Sequence, residues 1–183
     1  MNRRQLLKTG VAGAALLGVA RLAYGPLQPD PLYPASSGAS FQVLDAQSRT
    51  ALAAIARVML KGALPSVPAE YAVALEEVVL GCDKAIASLP GTVQQEVRDL
   101  LAILNGRLSR RWLVGVTRDW SSASDEDIAH FLTRWRYSSL SLMRSGYQAL
   151  HQIIFAAWYG NPRSWVGIGY QGPPPFMKDY WHA

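Results

Sequence analysis

Apolar positions recur at helical spacing along most of this chain, and no stretch shows the strict alternation of a half-buried strand. Leu52, Ile55, Ala56, Met59 and Leu60 mark the first amphipathic face, with Asp45 ahead as a cap and Gly62 behind as a stop. A second helix is predicted from about Ser66 to Leu89, with Pro68 in its first turn and Pro90-Gly91 ending it. Its stripe is Tyr71, Leu75, Val78, Val79, Cys82 and Ile86. A third starts at Thr92, with Gln95 in capping-box spacing, and carries Val97, Leu100, Leu101, Leu104 and Leu108 on one face toward an end near Gly115. Ser124 followed by Asp125, Glu126 and Asp127 caps the next helix, its acids well placed against the helix dipole. The period then runs from Ile128, Phe131, Leu132 and Trp135 through Leu142, Met143, Tyr147, Leu150, Ile153, Ile154 and Trp158, with a break expected near Tyr137–Ser141. The pattern predicts an all-α fold: an irregular bundle of about four to five helices with an extended aromatic, proline-rich C-terminal tail.

That tail departs from the helical pattern. Phe155, Trp158, Tyr159, Trp165, Tyr170, Phe176, Tyr180 and Trp181 are interleaved with glycines and with Pro173-Pro174-Pro175. Asn161 is placed to cap a short helix with Pro162 at its first position, and the triple proline imposes polyproline II. So much aromatic area on little regular structure suits a belt over the domain's own core or an interface patch. At the other end, residues 26–40 hold four prolines and a Ser/Gly run, a linker by composition. The domain plan is therefore a leading segment 1–25, a linker 26–40 and one helical domain 41–183.

The leading segment changes the reading of charge. Arg3-Arg4-Gln5-Leu6-Leu7-Lys8 has the form of a twin-arginine export signal, and Thr9–Ala20 supplies a weakly apolar h-region. That stretch is shorter than the about 20 apolar residues a bilayer span needs. Ala23 and Gly25 are small residues at cleavage spacing, yet Pro26 hinders a cut there, so removal, a shifted cut and retention as a weak anchor all remain open. Arg3, Arg4, Lys8 and Arg21 supply four of the five net positive charges. Beyond Gly25 there are fourteen basic and thirteen acidic residues, so a nucleic-acid role resting on net charge loses most of its support.

Catalytic patterns are lacking. Cys82, the one cysteine, falls on a helix stripe, which suits a buried thiol; the other reading is a covalent link to a partner. His130, His151 and His182 make no metal-binding spacing and stand near no nucleophile elbow. Glu76-Glu77 reads as a solvated helix face and Asp125–Asp127 as a cap, so neither is an acid/base pair. Arg107, Arg110 and Arg111, with Arg134, Arg136 and Arg144, suit either helix-end charge compensation or a partner-facing patch.

The order Ala157-Trp158-Tyr159-Gly160-Asn161-Pro162-Arg163-Ser164-Trp165, then Gly167-Ile168-Gly169-Tyr170-Gln171-Gly172-Pro173-Pro174, resembles the C-terminal signature of the small subunits of bacterial flavin-dependent sugar and alcohol dehydrogenases, the gluconate 2-dehydrogenase subunit 3 type. Leu132–Ser138 and Tyr147 look like the same family's long helix, and the twin-arginine opening is similar too. The resemblance covers the opening and about the last 60 residues; residues 26–125 match in helical character alone. It implies a non-catalytic accessory subunit, binding no cofactor itself, that helps mature a large FAD-dependent dehydrogenase of the glucose-methanol-choline class. The pair would pass the twin-arginine translocase to the periplasm or the periplasmic face of the inner membrane, where a cytochrome c often serves as third subunit. On this reading Arg3, Arg4, Leu6, Leu7 and Lys8 form the export signal. Partner contacts would fall on Trp135, Trp158, Tyr159, Asn161, Pro162, Trp165, Gly169, Tyr170, Gly172, Pro173 and Pro174. The competing expectations are a self-sufficient exported enzyme working through His130, His151 or a site without a recognisable motif, and an envelope-anchored structural protein.

Overall fold

The computed structural model describes residues 40–172, and its helices begin largely where capping chemistry puts them. Helix α1 (Ala46–Met59) is capped by Asp45, whose Oδ1 accepts from the Ser48 amide at 2.8 Å. Helix α2 (Pro68–Ala87) carries its proline at the first position, where a missing N–H costs nothing. Helix α3 spans Gly91–Asn105 and is followed by the short α4 (Arg107–Ser109) and a π-helical turn, Arg110–Val114. Helix α5 (Asp125–Arg136) is capped by Ser124, which accepts from the Asp127 amide. The expected break follows it, then α6 (Ser141–Tyr159) and α7 (Pro162–Gly167), the latter capped by Asn161. All the regular structure among the described residues is helical, as the sequence predicts.

Helix α1 is the hub. Ala51, Leu52, Ala53, Ala54, Ile55 and Ala56 are six consecutive buried residues, so this helix is enclosed on every side. Its alanines let α2, α3, α5 and α6 approach around it. The most extensive helix pair is α2 with α6, packed antiparallel: a Cβ built at Gly81 would lie 3.0 Å from Ala157 Cβ, and Cys82 lies against Ile153. Val78, Val79, Cys82 and Ile86 are fully enclosed there, facing Leu150, Ile154 and Trp158 in the same cluster. Phe131 anchors the other side, edge-on to both Trp120 and Trp135.

Two local expectations are corrected. Thr92 is not an N-cap: α3 begins at Gly91 behind Pro90 with no side-chain cap, and Gln95 bonds Asp99 instead of reaching back. The neighbouring Gln94 does the capping work for α2, its Nε2 donating to the carbonyls of Ala87 and Leu89 at 3.0 and 2.9 Å. Leu108 does not continue the apolar face of α3, because the chain turns extended at Gly106 and leaves it exposed. Helix α3 therefore ends at Asn105 and not near Gly115, where it is the separate π turn that stops. Gly115 takes φ +76, its amide closes the π turn on the Arg110 carbonyl, and a Cβ there would lie 2.7 Å from Arg134 Nη1.

An interaction with no sequence signature holds the entry to the fold. Asp83 on α2 is fully buried, and its carboxylate accepts three successive amides: Gln42 at 2.8 Å, Val43 at 2.9 Å and Leu44 at 2.8 Å. The chain thus bends around this carboxylate as it enters against α2 near its C-terminal end. Asn105, the last residue of α3, meets Ser48 in the first turn of α1. At the opposite end, Arg57 near the close of α1 reaches the Ala123 carbonyl and Asp125 at the start of α5.

Candidate functional site

The corner where α6 hands over to α7 is built from chemistry the sequence places far apart. Asn161 stops α6 and caps α7, its Oδ1 accepting from the Arg163 amide at 2.9 Å. Its Nδ2 donates to Glu77 Oε2 on α2 at 2.7 Å. Arg163 meets the same carboxylate as a fork, Nε to Oε2 and Nη2 to Oε1, both at 2.9 Å. Paired N–H donors suit a carboxylate's two oxygens and fix orientation as well as energy. Glu77 is held below the ordinary carboxylate range, first by the Arg163 hydrogen bonds, against desolvation, with help from Asn161. Ser164 is buried beneath, its hydroxyl donating to the Asn161 carbonyl at 2.8 Å.

This yoke presents an aromatic ledge. Trp165 stands edge-on to Tyr170 with centroids 5.3 Å apart, and its Nε1 donates to the Tyr159 carbonyl at 3.0 Å. The chain doubles back through Gly169 (φ +69), and the Tyr170 amide returns to the Trp165 carbonyl at 2.9 Å. At Gly172 (φ +90) a Cβ would lie 3.0 Å from the Trp165 ring, so backbone passes directly over the indole. Tyr159, Val166, Ile168 and Tyr170 are exposed around it, Val166 at 87%. Apolar area held rigidly and facing solvent is the chemistry of a binding surface.

The residues expected to contact a partner divide by burial. Tyr159, Pro162, Gly169 and Tyr170 are exposed; Asn161, Trp165 and Gly172 are half-buried and shape the corner. Trp158 and Trp135 are not at the surface. They retain 2% and 3% of their accessible area, Trp158 in the α2–α6 core and Trp135 against Phe131, so what they contribute is packing. Pro173 and Pro174, and Arg3, Arg4, Leu6, Leu7 and Lys8, lie outside the described residues. Sequence reasoning missed Glu77, which reads as a surface acid until Arg163, 86 residues away, is folded onto it.

The other candidates place simply. His130 is exposed, and His151 is half-buried and stacked on Phe155 at 4.1 Å between centroids. Cys82 is fully enclosed, and burial pushes its thiol up to about 12, so a covalent link to a partner has no access in this fold. Among the described residues no group of three or more His, Cys, Asp or Glu is gathered to hold a metal, and no helix is long and apolar enough to cross a membrane. Compared with known proteins, the chain matches no family model, no curated protein and no solved structure.

Proposed function

We propose that this protein is a non-catalytic accessory subunit that binds a large FAD-dependent dehydrogenase through the α6–α7 corner and escorts it through the twin-arginine pathway. The observation that carries the reading is the yoked ledge: Tyr159, Trp165 and Tyr170 held in one arrangement by Asn161, Glu77 and Arg163. A surface ordered before it binds gives up little further entropy on docking. Aromatic side chains so presented are the residue types that dominate binding hot spots, at about 2 kcal/mol or more each. The order of residues from Ala157 to Pro174 supplies the resemblance, and Arg3-Arg4 with the following h-region supplies the route. The flavin belongs to the partner on this reading, and a cytochrome c would be a third component.

Purification of the full chain from its native cells tests this. The expected result is a stoichiometric yellow complex with a flavoprotein, lost in a Trp165→Ala/Tyr170→Ala variant. An Arg3→Lys/Arg4→Lys variant is expected to leave the dehydrogenase in the cytoplasm. A colourless chain with no companion, or unchanged exported activity in the double-lysine variant, overturns the proposal.

A further inference from the structure

A second surface lies at the other end of α6, about 28 Å away at 1.5 Å per residue. Trp112 and Leu113 project from the π turn, whose Leu113 carbonyl is clamped by Arg134 Nη2 at 2.6 Å and Trp135 Nε1 at 3.1 Å. Tyr137, Leu140 and Leu142 follow directly after α5 on that end. Trp112 is 77% exposed and Tyr137 73%, with Leu140 and Leu142 close to 60%. These side chains stand out from a turn, an interhelix loop and the first turn of α6.

Their surroundings are one-signed. Residues 106–120 and 133–148 contain Arg107, Arg110, Arg111, Arg118, Arg134, Arg136 and Arg144 against a single acid, Asp119, which Arg110 already pairs. Of the fourteen basic and thirteen acidic residues beyond Gly25, the rest of the chain therefore keeps seven basic and twelve acidic. The far end holds Glu70, Glu76, Glu77, Asp125, Glu126 and Asp127, with Arg57 pairing Asp125 and Arg163 pairing Glu77, so acids still outnumber bases there and the bundle is polarised along its length.

We infer that the Trp112–Leu142 end is a docking surface for an anionic phospholipid bilayer, with Trp112, Tyr137, Leu140 and Leu142 seated at the headgroup boundary and the arginines on lipid phosphates. Trp and Tyr favour that boundary, and clustered arginines draw protein to anionic leaflets. The polarity turns the acidic end away from the same surface.

The inference stands on this patch and not on the accessory-subunit reading. The test is co-sedimentation of the full chain with vesicles of 30% phosphatidylglycerol in phosphatidylcholine, compared with phosphatidylcholine alone. Partitioning is expected to be at least tenfold stronger on the anionic vesicles and to fall as salt rises from 0.1 to 0.5 M. Trp112→Ala/Leu142→Ala and Arg107→Glu/Arg111→Glu should each reduce it at least tenfold with helical circular dichroism unchanged, while Trp165→Ala/Tyr170→Ala leaves it intact. Equal binding to neutral vesicles, or binding indifferent to both patch variants, overturns the inference. So does loss of flavoprotein association in Trp112→Ala/Leu142→Ala with vesicle binding preserved, which would make the patch a protein interface.

Discussion

Replacing Asp83 tests the lock on the chain's entry. In Asp83→Ala, the amides of Gln42, Val43 and Leu44 lose their common acceptor. A hydrogen bond to a carboxylate contributes about 1.5–3 kcal/mol net, and a buried donor left unpaired carries the full loss. The Leu44 bond is buried and counts in full; the other two are part-buried, where water recovers about half. The loss then comes to about 3–6 kcal/mol, a large share of the 5–15 kcal/mol typical of a domain. With a urea m-value of about 2 kcal/mol/M, the unfolding midpoint should fall by about 2 M. Asp83→Asn is the sharper variant. Its amide oxygen still serves two of the three donors, but its NH2 then faces the third, so about half the loss is expected. Urea unfolding followed by circular dichroism gives the midpoints, and amide hydrogen exchange at residues 42–44 should accelerate in both variants relative to the rest of the fold. A midpoint within about 0.3 M of wild type, with those three amides still protected, would show that Asp83 does not hold this segment.

Glycine positions separate packing from propensity. Gly146→Ala places a Cβ 2.6 Å from Trp135 Cζ3 and 3.2 Å from Leu100 Cδ1, so overpacking of about 1–3 kcal/mol should outweigh the helix gain. Gly91→Ala meets nothing within 4 Å and should stabilise by up to about 1 kcal/mol; thermal melts of both check the opposite signs. Cys82, enclosed with its thiol pushed up to about 12, should react with an aromatic disulfide at neutral pH no faster than the chain opens, and at once in denaturant. Glu77 has a lowered folded pKa, so its contribution is present above the ordinary value of 4.5 and is lost as pH falls through the lowered folded value. The ion pair is about a third exposed on each side, so solvent screening keeps this within about 1 kcal/mol. Glu77→Gln should flatten that acid limb of the melting curve, and an unchanged limb would place the titration elsewhere.

Local chemistry determined much of this fold from the sequence alone. Asp45, Ser124 and Asn161 cap helices because short polar side chains satisfy first-turn amides wherever they occur, and Pro68 and Pro162 sit at first positions for an equally local reason. The periodic stripes gave the buried faces of α2 and α5, and the break after Tyr137 was legible as a lapse in that period. Tertiary structure decided which aromatics face solvent. Trp158 and Tyr159 are neighbours of similar character, and only the packing of α2 on α6 buries one and exposes the other. Gln94 and Gln95 differ in the same way, because a cap on α2 depends on where α3 comes to lie. The two ionic anchors were beyond sequence reasoning altogether. Glu77 reads as a surface acid on a helix and Asp83 carries no sequence signal, and their partners, about 40 residues from Asp83 and about 85 from Glu77, reach them only once α2 is packed. Pairings at that distance depend on the direction in which elements cross, and residue order does not encode that direction locally.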